Sequence, residues 1–146
     1  MQSINWGRVI LGGLLAGVIL NVLELILNLL IYAEGMEAAL EVMGVEQPGT
    51  AWMVTFVILA FVIGCVISFL YAAMRPRLGA GPFTALAAGD TVWFLAWLWP
   101  TLMWIAYFPT AFPLSLMVLA LVLSFIEVQI AALAAGWVYK EEPAMA

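Results

Sequence analysis

The chain contains no histidine, a single cysteine and only four basic residues in 146. Without histidine it lacks the commonest metal ligand, the usual haem ligand and the side chain that titrates nearest neutrality. A lone Cys65 inside an apolar run allows neither a disulfide framework nor a thiolate metal site. Zinc and bis-histidine haem sites are therefore not expected, and no metal or other cofactor is assigned. Charge is scarce as well, at 9% of residues with a net of −5. The acidic excess argues against nucleic acid or anionic lipid held through the surface.

Apolar residues, by contrast, make up 67% of the chain, and mean hydropathy is +1.17. A soluble domain carries roughly 25% charged residues, and no fold in water hides this much apolar surface. Crossing about 30 Å of hydrocarbon takes roughly 20 apolar residues in a helix. Four stretches qualify: Val9 to Tyr32, Trp52 to Met74, Phe83 to Phe108 and Leu114 to Tyr139. The expected fold is all-α: one transmembrane domain over residues 1–146, a polytopic integral membrane protein built as a four-helix bundle. Breaks are expected at the acidic segment Ala33 to Thr50, at the basic turn around Arg75, Pro76 and Arg77, and at the uncharged link Pro109 to Pro113.

Arg8, Arg75, Arg77 and Lys140 all fall on one side of this plan. The positive-inside rule puts that side, with both termini, in the cytoplasm, and the expected location is a multi-pass protein of the inner or plasma membrane. Glu34, Glu37, Glu41 and Glu46 fall on the outer side. Their spacing against Leu40, Met43 and Val45 suits a short amphipathic helix on the outer surface; a solvated acidic loop fits equally. The first apolar run, about 24 residues long and without an A-x-A-like site, reads as a retained helix rather than a signal peptide. A short echo relates Leu14, Leu15, Ala16 and Gly17 to Leu86, Ala87, Ala88 and Gly89, and is compatible with two fused helical hairpins.

Membrane helices associate through small residues and a few polar contacts. Gly13, Gly17, Asn21, Glu24 and Asn28 fall within roughly an 80° sector of the first helix, a face expected to be buried in protein. Ala60, Gly64, Ser68 and Ala72 form a second small-residue seam at intervals of four. In the fourth helix Ser124, Glu127, Ala131 and Ala134 share one side, whereas Gln129 points about 200° away, toward another helix or another subunit. In the third, Asp90, Trp93, Trp97, Pro100, Trp104 and Tyr107 share about a third of the circumference. Pro100 should kink that helix and free a carbonyl. The tryptophans read either as a lipid-facing or packing face, or as a wall for an apolar or cationic ligand built from Trp93, Trp97, Trp104 and Tyr107.

Glu24, Asp90 and Glu127 lie within the spans with no base at comparable depth. An intramembrane acid costs at least about 2.5 to 3.5 kcal/mol on insertion scales, so such residues mark function or a partner. A carboxyl that holds a proton in one state and a cation in another is an exchange site. A protonated Glu24 that hydrogen-bonds Asn21, Asn28 or a carbonyl is the packing alternative. The proton- or cation-binding candidates are thus Glu24, Glu127, Asp90, Asn21 and Asn28, and the helix-packing candidates Gly13, Gly17, Ala60, Gly64 and Ser68.

A lone Glu in the first of four helices and tryptophans in the third resemble the plan of the small multidrug resistance transporters. The likeness is one of plan and serves as a mechanistic analogy. The long acidic outer segment and the added Glu127 depart from that family, as does the third helix, which lacks its glycine heptad. The leading expectation is a small proton-coupled transporter or channel for a cation or small apolar cation. An accessory or scaffold subunit of a larger membrane complex is the rival, and a lipid- or pigment-binding protein a third reading. Expected partners are membrane lipid and either further copies of the chain or other membrane subunits, with no nucleic acid. An enzyme is the least supported class, because no nucleophile and base pair or metal set is present and no catalytic residue is assigned.

Overall fold

The structure, a computed structural model, describes residues 4–46, 49–108, 110 and 113–141, and their regular segments are all helical. Helix α1 (Trp6–Leu27) passes through a π-helical segment (Asn28–Tyr32) into α2 (Ala33–Met43), and α3 spans Thr50–Leu78. Helix α4 (Pro82–Trp93) continues through a second π segment (Phe94–Leu98) into α5 (Trp99–Tyr107), and α6 spans Leu114–Val138. Three helical runs, Trp6–Met43, Thr50–Leu78 and Leu114–Val138, are long and apolar enough to cross a membrane. The run Pro82–Tyr107 is diluted by Thr84, Asp90, Thr91, Pro100 and Thr101.

Local chemistry explains the ends. The Asn5 side chain accepts the Arg8 N–H at 3.1 Å and caps α1. Gly44, at φ 66°, takes the left-handed conformation that closes α2. The first helix does not end at Tyr32 as the charge pattern suggested. The acidic stretch is helical and joined to it, because Ala33–Met43 contains no Gly–Pro punctuation and its single glycine, Gly35, packs against Leu116. Likewise α3 runs past Pro76 to Leu78, since a proline in the last turn forfeits one ladder bond while Arg75 and Arg77 favour the helix C-terminus. The turn itself falls at Gly79 and Gly81, both with positive φ. Pro100 acts one turn upstream of itself. Having no N–H to donate, it sits just beyond the π segment, where the Trp99 N–H reaches five residues back to the Phe94 carbonyl.

Helix α1 packs on α3 and α6, α4 packs on the same two helices, and α3 touches α6 across the bundle. The α1–α3 approach is the closest, since a side chain on Gly64 would strike the Gly13 carbonyl and the Gly17 backbone. Ala16, Leu20, Ile67, Val128 and Ala131 fill the centre.

The two hairpins repeat one another. Gly17 of α1 faces Phe61 and Gly64 of α3, and Gly89 of α4 faces Gln129 and Ala132 of α6. One turn beyond each glycine a side chain donates to a carbonyl of its hairpin partner, Asn21 to Val57 at 3.3 Å and Trp93 to Leu121 at 3.2 Å, the longer indole reaching one turn past Phe125, the counterpart of Val57. Phe61, Gly64 and Tyr71 map onto Gln129, Ala132 and Tyr139 at one constant spacing. The Tyr71 hydroxyl accepts the Gly81 N–H at the start of α4, and the Tyr139 hydroxyl accepts the Asn5 N–H at the start of α1. A pseudo-twofold axis therefore passes between the two tyrosines, relating α1 to α4 and α3 to α6.

Candidate functional site

The α1–α2 run lies antiparallel along α6. Gly12 meets Ala135 near one end, and Gly35 meets Leu116 near the other. Between these contacts α1 brings Glu24 to Glu127 of α6, and the two carboxyls lie within hydrogen-bonding contact. Glu127 is only 3% exposed, and its Oε1 has no hydrogen-bond donor among the described residues. Asn28, one turn beyond Glu24, donates through Nδ2 to Glu24 Oε1 at 3.0 Å and to the Glu24 carbonyl at 2.8 Å. Tyr32 is buried at 9% exposure and close enough to feel both carboxylates. Regular helical spacing carries Tyr32 away from Glu24; the wider π turn rotates it back onto the face toward α6. That is why a period of 3.6 missed it.

Ionised carboxylates only accept hydrogen bonds. Two of them in contact, one buried among apolar helices, repel unless a proton or a cation lies between them.

The face expected to be buried is only partly so. Gly13 and Gly17 are buried, Asn21 and Asn28 are half-buried, and Glu24 is exposed. The cause is a divergence of helices: beyond the Asn21–Val57 bond, α3 from Thr50 to Leu59 is exposed on every side. Asn21 belongs to the α1–α3 seam, donating to the Gly17 carbonyl at 2.8 Å as well as to Val57. The α3 seam lines up differently from residue to residue. Gly64 is pressed against α1, Ser68 is buried beside Gly12, and Ala60 is partly buried against the core.

Asp90 stands apart from the other two acids. It is exposed, and its Oδ1 accepts Gln129 Nε2 at 2.7 Å on the side of α6 that faces α4. The separate neighbour of Gln129 is thus a helix of its own chain. Gly89 leaves the room that Gln129 occupies, and Gln129 Oε1 is buried without a donor among the described residues.

The aromatic residues of the third run form no continuous wall. Trp93 is half-buried, with Nε1 shared between the Leu121 carbonyl and Ser124 Oγ, and it meets Phe125 edge-on at 5.1 Å. Trp97 also packs against the core. Beyond the π segment the register has turned, so Trp104 is 44% exposed and tilted against Phe108, while Tyr107 is 74% exposed. The groove beside Trp93, lined by Val118, Leu121, Val122, Phe125 and Ile126, is wholly apolar. Among the described residues no three His, Cys, Asp or Glu side chains converge as a metal site would require.

Comparison with protein-family models, with curated proteins and with solved structures finds no match to this chain.

Proposed function

We propose that the chain is a four-span membrane protein, with both termini cytoplasmic, that exchanges protons for a cation at the Glu24–Glu127 pair. The observation that carries this reading is a carboxyl, Glu127, buried in an apolar bundle with another carboxyl as its neighbour and one oxygen unsatisfied. The internal repeat sets the pair apart. Under the pseudo-twofold, Glu24 corresponds to Ala96 and Glu127 to Leu59. Both of those positions are exposed, so the contact between the two acids, made by α1 on α6, is a departure from the repeat rather than a part of it. An acid within a span, at a cost of roughly 2.5 to 3.5 kcal/mol, marks a functional site.

Orientation rests on charge. Arg75 lies over the Tyr139 ring and pairs with Glu141 at 3.6 Å, so the basic residues gather where α3 and α6 end and α1 and α4 begin. Glu34, Glu37 and Glu41 lie on α2 at the other end. Basic residues favour the cytoplasmic side, and an inner or plasma membrane is the setting that fits. Alternating exposure of the pair to either side would let proton and cation compete for the same oxygens.

Proteoliposomes carrying a pH gradient test the proposal. Glu24→Gln and Glu127→Gln are each expected to abolish gradient-driven cation movement while the protein still purifies as a helical, monodisperse species. Normal movement in both variants overturns it.

A second reading is favoured by a different observation, the outer half of α3. Trp52, Met53, Val54, Phe56 and Ile58 are exposed around the whole helix, a surface that suits docking against another helix in a larger complex. Purification in mild detergent separates the readings: foreign subunits held in fixed stoichiometry favour the docking role, and a self-contained species favours exchange.

A further inference from the structure

We infer that the ion exchanged for the proton is a small monovalent cation of the sodium class, bound between Glu24 and Glu127; this rests on the exchange reading above. Beside Glu24, Glu127 is only 3% exposed, and its Oε1 is buried without a hydrogen-bond donor among the described residues, an oxygen left free for a cation.

Three properties of the site select the class. The donors that meet there are hard oxygens, those of the two carboxylates, with Asn28 Nδ2 holding Glu24 Oε1 at 3.0 Å. Hard oxygen sets take alkali and alkaline-earth ions. Calcium seeks six to eight oxygens and magnesium a near-ideal octahedron, whereas only two acids meet here. Large organic cations need an aromatic face or open room. Glu127 offers little room, and the tryptophans form no continuous face around it.

Charge balance points the same way. A carboxyl pair with one proton carries a net charge of −1, and the ionised pair with one sodium ion also carries −1. The exchange breaks one O–H bond, releases the proton to water and forms sodium–oxygen contacts. No buried charge is gained or lost, which matters most where solvation is weakest. Around Glu127 the titratable neighbours are Glu24 and Tyr32. Asp90 is engaged by Gln129 on the far side of α6, and the α3 groups Cys65 and Tyr71 lie against Gly13 and Tyr139 at the basic end.

The test uses the intact protein in detergent with a pH dye and weak buffer, and then in proteoliposomes. Sodium chloride is expected to release protons, with choline chloride silent, and radioactive sodium uptake driven by an outward proton gradient is expected to be unaffected when a potassium–valinomycin clamp holds the potential at zero. The Glu127→Gln variant should lose both signals; Glu127→Asp, which keeps the charge, should retain proton release with weaker sodium affinity. Proton-gradient-driven uptake of tetraphenylphosphonium with no response to sodium overturns this inference and leaves the exchange reading standing. Absence of movement of either cation overturns both.

Discussion

Tyr71 and Tyr139 meet edge to face at 5.7 Å, and each hydroxyl accepts the first backbone N–H of the opposite hairpin. The two bonds are equivalent under the pseudo-twofold, so their loss should be equivalent too. Tyr71→Phe and Tyr139→Phe are each expected to cost about 1 kcal/mol, read as similar falls in Tm in one detergent. Tyr139→Ala should cost more, because it also removes the ring contact and the face over which Arg75 sits at 5.6 Å. A large effect at one tyrosine and none at the other would contradict the repeat.

Gly64 is the tightest point between α1 and α3. Gly64→Ala is expected to destabilise by about 1 to 3 kcal/mol, as overpacking does, since the atoms in the way belong to the Gly13 and Gly17 backbone and cannot swing aside. Gly136→Ala meets the Ala85 and Tyr71 side chains less closely and should cost less. Thermal unfolding of the two variants side by side checks the order.

Trp93 divides its N–H between Leu121 and Ser124. Ser124→Ala leaves the carbonyl acceptor in place and should change stability by less than about 1 kcal/mol, whereas Trp93→Phe strips the donor from both and should cost more. Tryptophan fluorescence is expected to move in the second variant and stay put in the first.

Much of this architecture could be read from residue types. Long apolar runs, the side that carries Arg8, Arg75 and Arg77, and the spacing of Gly13, Gly17 and Gly64 follow from hydrocarbon chemistry and a 3.6-residue period. What escaped was whatever broke that period. The π segment at Asn28–Tyr32 turned Tyr32 toward Glu24 and Glu127, and the one at Phe94–Leu98 split the tryptophan stripe; neither has a sequence signature apart from Pro100. Partners across the bundle were equally hidden. Single-helix angles placed Glu127 and Gln129 on different sides of α6, but only the packing of α1 and α4 on those sides assigned Glu24 to one and Asp90 to the other. The exposure of Glu24 reflects the divergence of α3 beyond Val57, a property of two helices together.

Carbodiimide labelling bears most directly on the claim that Glu24 and Glu127 form one proton-holding pair, because the reagent partitions into apolar regions and reacts with carboxyls that carry a proton. Intact-mass and peptide analysis near neutral pH is expected to show a single adduct per chain, on Glu24 or Glu127 but never both, with sodium slowing the reaction. Chains modified at both residues, or left unmodified at both while Asp90 reacts, would contradict a shared proton.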